Sequence, residues 1–140
     1  MALDGIFNTT MRLLEKNLDL RAKNQTIISA NLANAETPGY IPSTLSFEGE
    51  LKDALKNRGG ATPSVTHPRH IPLKGQSAGL DMVQGSVSKA PDGSVGYDGN
   101  GVELEQEMGR LAENQILYNA TIQLAVKNFE SLKIAIKGSI

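Results

Sequence analysis

Gly101-Val-Glu-Leu-Glu-Gln-Glu-Met-Gly-Arg110-Leu-Ala-Glu-Asn-Gln-Ile-Leu-Tyr-Asn-Ala120-Thr-Ile-Gln-Leu-Ala-Val-Lys-Asn-Phe-Glu130-Ser-Leu-Lys-Ile-Ala-Ile-Lys-Gly138 is the stretch that decides the fold. Read in sevens, it repeats one stripe: Leu104, Met108, Leu111, Gln115, Tyr118, Ile122, Ala125, Phe129, Leu132 and Ile136. Spacings of four and three alternate throughout, and only Gln115 is not largely apolar. This is the 3.5-residue period of a coiled-coil seam. At 1.5 Å per residue such a helix is roughly 50 Å long, too long to bury itself inside a small globule. It needs a partner of its own length.

The opposite end of the chain supplies one. From Asp4, a suitable cap, to about Ala35 the same alternation runs through Phe7, Met11, Leu14, Leu18, Arg21, Gln25, Ile28, Leu32 and Ala35. A second line, Ile6, Leu13, Leu20 and Ile27, widens the apolar face beyond what one neighbouring helix covers. The expected fold is therefore mainly α. Helices at residues 1–36 and 100–140 form one discontinuous helical domain as an antiparallel coiled coil, and residues 37–99 form an irregular, partly β middle segment. Each helix also has a block without charge, between Lys23 and Glu36 and between Glu113 and Lys127. Asn, Gln, Ser and Thr fill them, residues that can be buried when their hydrogen bonds are met. Such faces call for further helices around them. We read these stripes as an assembly seam.

Composition excludes several other classes. The chain has 140 residues, 14 Lys and Arg against 15 Asp and Glu, and no Cys or Trp. Near-neutral charge argues against nucleic acid or an anionic membrane as partner. Lack of cysteine removes disulfides, thiolate catalysis and zinc–sulfur sites. No run approaches the roughly 18 apolar residues of a membrane span. Met1–Arg12 lacks the pattern of a cleavable secretory signal, so export would use another route.

After the first helix comes Glu36-Thr37-Pro38-Gly39-Tyr40. Pro38 pushes Thr37 out of the helical region, and Pro38-Gly39 fits the centre of a type II turn with Gly39 at positive φ. Together with Asn31, Ala33 and Asn34 this reads Asn-x-Ala-Asn-x-x-Thr-Pro-Gly-Tyr. It resembles the N-terminal signature of the bacterial flagellar rod, hook and hook-associated proteins. Val102-Glu103-Leu104 with Glu107-Met108 is similar to the opening of that family's terminal helix, and Tyr118-Asn119-Ala120 to its Tyr-x-Ala-Asn element. Gln115-Ile116-Leu117-Tyr118 departs from the usual Gln-Arg-Ala-Tyr. The likeness covers both ends, about half the chain, and is nearest to the proximal rod subunits.

What the resemblance implies is a structural subunit, not an enzyme. Its terminal helices would build the axial drive shaft and the wall of the export channel, in the basal-body rod within the periplasmic space. Partners implied are copies of itself, the axial proteins FliE and FlgC, the ring protein FliF and the flagellar type III export apparatus. Nearest alternatives are another rod subunit such as FlgC itself, or a soluble two-helix adaptor or export chaperone. The uncharged blocks count against the last two.

In the middle, Phe47–Leu55 reads as a short amphipathic helix, and Asp81–Val87 and Ser94–Tyr97 as short strands about a turn at Pro91-Asp92-Gly93. No residues point to a cofactor, a metal or catalysis. His67 and His70 flank a proline and have no acidic ligand nearby in sequence. Glu103 and Glu107 are explained by the helix dipole, and Asn100 with Glu103 forms a capping box. Lys74–Gly79 lacks the Gly-Lys-Ser/Thr end of a phosphate loop.

Overall fold

A computed structural model describes residues 9–56, 78–90 and 101–138. Six elements follow in order: α1 (Thr9–Ala33), β1 (Ser43–Ser46), α2 (Glu48–Lys56), α3 (Ala78–Met82), β2 (Ser86–Lys89) and α4 (Leu104–Lys137). The chain divides into two units, one of residues 1–45 with 87–140 and one of residues 46–86.

In the first unit α1 packs along α4. α4 is 34 residues long, about 50 Å at a helical rise of 1.5 Å per residue, and runs antiparallel to α1. The α1 stripe is largely enclosed: Met11, Leu14, Arg21 and Ile28 are buried, and Leu18, Gln25 and Leu32 half-buried. Asp4, Ile6 and Phe7 lie outside the described residues. β1 and β2 pair as a two-stranded sheet. The Ala90 N–H, just past β2, donates to Pro42 O, just before β1, so the strands are antiparallel.

In the second unit α2 packs on α3. Phe47, Leu51 and Ala54, spaced four and three apart, are buried, as are Leu80 and Val83. The short helix expected at Phe47–Leu55 is thus present, with Glu48 and Glu50 in its first turn and Lys56 in its last, each favourable to the helix dipole. The Gly85 N–H donates to Glu50 Oε2 at 3.2 Å.

Two local expectations need correction. Asp81 and Met82 close α3 instead of opening a strand, and β2 begins only at Ser86. Gly85, at φ 70, breaks the chain direction between them. Its strand partner, Ser43-Thr44-Leu45-Ser46, carries one β-branched residue and so little strand signal of its own. Nor does a capping box at Asn100 start α4. Glu103 is the N-cap, its backbone extended and its side chain making no cap bond. Val102 just before it is buried and anchors the chain there. Asn100, Pro91-Asp92-Gly93 and Ser94–Tyr97 lie outside the described residues.

Candidate functional site

The signature segment builds a clasp at the end of α1. Asn34 donates twice to Ala30 O, through Nδ2 at 2.8 Å and through its backbone N–H at 3.2 Å. Thr37 Oγ1 donates to Asn34 Oδ1, and the Tyr40 N–H returns to Thr37 O. That last bond closes a β-turn over Pro38 and Gly39. Gly39 has φ 73, as a type II turn demands at its third position. Ala33 is exposed.

Asn31 is the hub of the clasp. It is fully buried, at 0% exposure, and uses both ends of its amide. Oδ1 accepts from the Ser43 N–H at 3.0 Å and from Tyr40 Oη at 3.2 Å. Nδ2 donates to Ser43 O at 2.8 Å and to Glu107 Oε2 at 3.0 Å. Glu107 is only 3% exposed, and its other oxygen takes Arg110 Nη1 at 2.6 Å. One amide thus ties the turn, the start of β1 and the first turns of α4 to α1. Gly101 completes the junction: a Cβ there would lie 2.6 Å from Tyr40 O, so only glycine fits.

A second polar layer sits farther along the pair. Asn114 Nδ2 donates to Arg21 O and to Gln25 Oε1, both at 3.0 Å, while Asn24 Nδ2 donates to Asn114 Oδ1 at 3.2 Å. Beside it opens a cleft of about 320 Å³ lined by Arg21, Ala22, Gln25, Asn114, Gln115 and Tyr118. The buried residues of α4 are therefore Glu107, Asn114 and Thr121, spaced by seven.

This places the α4 stripe beside the line facing α1. Leu111, Tyr118, Ala125 and Leu132 are half-buried, whereas Leu104, Met108, Gln115, Ile122, Phe129 and Ile136 are exposed. Ile116, Leu124, Val126 and Ile134 are exposed as well. Sequence reasoning passed over Glu107, because a first-turn acid has a sufficient explanation in the helix dipole. The signal that finds it is the seven-residue spacing of polar residues that it shares with Asn114 and Thr121. Among the described residues no group of acids and histidines is arranged to hold a metal, and no helix is long and apolar enough to cross a membrane. His67, His70 and residues 74–77 lie outside the described residues.

The sequence profile of the flagella basal body rod protein family matches residues 14–40, from α1 through the clasp to Tyr40. That sets the class. Over nearly the whole chain the similarity is to flagellar basal body rod protein FlgB. The Yersinia ruckeri protein is 33% identical over 127 residues, covering 87% of this chain and 86% of that one. Those of Salmonella typhimurium (strain LT2) and Borrelia hermsii are each 29% identical, covering 94% and 95% of this chain and 95% and 99% of theirs. The chain belongs to the FlgB family of basal-body rod proteins.

Proposed function

We propose that this chain is a structural subunit of the proximal flagellar rod, self-assembling through its terminal helices into the axial drive shaft and the export channel wall. The observation that carries this reading is the outward apolar line of α4: Leu104, Met108, Ile122, Phe129 and Ile136 stay exposed when α1 is in place. An unpartnered apolar line of that length marks a contact surface, and in a rod-family chain its occupants are neighbouring axial subunits. Phe7, Met11, Leu14, Leu18, Ile28, Leu32, Leu111, Tyr118 and Leu132 complete the assembly seam. Neighbours would include further copies, FliE and FlgC, with FliF at the base and the type III apparatus delivering the chain.

Ile122→Asp tests the proposal. Ile122 is 38% exposed, and no bond of the clasp or of the Asn114 layer involves it. The substitution should leave the isolated chain's circular dichroism unchanged and remove it from purified basal bodies, abolishing motility. Normal incorporation and swimming would show that this line is not the contact.

A further inference from the structure

A coiled-coil seam that repeats every seven residues is degenerate, because sliding one helix by a heptad again sets apolar residues against apolar ones. The lines that face each other here are of another kind. Thr10, Asn17, Asn24 and Asn31 recur every seven residues on α1, as do Glu107, Asn114, Thr121 and Asn128 on α4. The bonds of Asn31 to Glu107 and of Asn24 to Asn114 align the two lines antiparallel. In that alignment Asn17 stands level with Thr121, and Thr10 with Asn128.

We infer that the two bonded layers, Asn24–Gln25–Asn114 and Asn31–Glu107, are the device that sets the register of α1 against α4. Asn114 needs three partners at once: the Asn24 amide, the Gln25 side-chain oxygen and the Arg21 main-chain carbonyl. The residues that follow the successive asparagines of α1 are Leu18, Gln25 and Leu32, so only one layer offers that set. A slide of seven residues either way replaces Gln25 by a leucine. The same slide takes Asn31 from Glu107, which then meets Asn24 or passes beyond the end of α1. A slide of four sets apolar residues, Leu20 and Ile27 or Ile28 and Ala35, level with both buried polar groups. A slide of three sets Ile27 level with Asn114 or Ile28 level with Glu107, so at least one group is left unsatisfied. Polar groups in a helix seam sacrifice stability and gain a single alignment. This inference does not depend on what the outer face of α4 binds.

The chain has no cysteine, so spin labels attach only at introduced positions. Cysteines in place of the exposed Ala30 and Lys127 report the α1–α4 distance by double electron–electron resonance in the isolated full chain. The parent should give one narrow distance. In Asn114→Leu a second population should appear, displaced by about 10 Å, the length of seven residues along a helix. Asn24→Leu with Asn114→Leu and Glu107→Leu, which replaces one layer by an apolar pair and removes the carboxylate of the other while Asn31 keeps Ser43 and Tyr40, should do the same with helix content retained. That triple variant decides the question if the single one loses helix. Asn17→Leu, which removes no cross-helix bond, should keep one population. A single narrow distance at the parent value in the triple variant would overturn the inference, and so would a broad distribution in the parent. A second population in Asn17→Leu would likewise sink the assignment to the bonded layers. Motility and basal-body incorporation, measured separately, report on the assembly reading and not on register.

Discussion

Asn31 and Glu107, 76 residues apart in sequence, meet at 3.0 Å with both side chains withdrawn from solvent. Asn31→Leu would leave the Tyr40 hydroxyl and the Ser43 N–H without their acceptor, and the carboxylate of Glu107 with Arg110 alone. Unsatisfied buried groups of this kind cost about 1–3 kcal/mol each, so the expected loss is at least about 2 kcal/mol by urea denaturation. Glu107→Gln keeps an oxygen for the Asn31 amide and should lose clearly less. Equal losses would mean that the clasp does not depend on the amide hub.

Gly39→Val isolates backbone strain. A Cβ at Gly39 meets nothing within 4 Å, so the only penalty is a β-branched residue at φ 73. We expect a loss of about 1–3 kcal/mol and defective rod assembly. Gly39→Asn, which accepts that region more readily, should recover most of it. Thermal melts of the two variants make the comparison, and coincident melts would refute a strained turn.

Two glycine-to-alanine changes should move stability in opposite directions. Gly101→Ala drives a methyl into Tyr40 O and should cost about 1–3 kcal/mol as the junction shifts. Gly109→Ala, inside α4 with open space around the new methyl, should gain about 0.5–1 kcal/mol in helix propensity. Denaturant midpoints read both. If Gly109→Ala stabilises the isolated chain yet impairs motility, a neighbouring subunit packs on that glycine.

Among the described residues Asn17 Oδ1 is buried without a hydrogen-bond donor. Asn17→Leu removes the orphan acceptor and adds apolar surface, so stability should rise by about 1 kcal/mol. A drop of similar size would show that Asn17 has a partner at its amide after all.

The long-range plan was legible because seven-residue periodicity and helix length are properties of sequence alone. Both terminal helices and their antiparallel pairing follow from that kind of signal, and the turn at Gly39 follows from the Pro38-Gly39 pair. Which face of α4 turns inward did not follow. The apolar stripe through Leu104 and Ile136 is the stronger pattern, yet the bonds of Asn114 and Glu107 bring the line next to it against α1. Polar pairing across 76 or 90 residues leaves only the seven-residue recurrence of polar residues on each helix as its trace. β1 was illegible for a similar reason: Ser43–Ser46 becomes a strand through β2, not through its own propensities.

The bond between Ala90 and Pro42 has a consequence for how the protein can vary. It draws together the two points at which the chain leaves the helical unit and returns to it, like the neck of a drawstring bag. The chain thus departs from the helical unit and rejoins it at neighbouring points. Exchange of residues 46–86 for a longer or shorter insert should therefore leave the pairing of α1 with α4 in place.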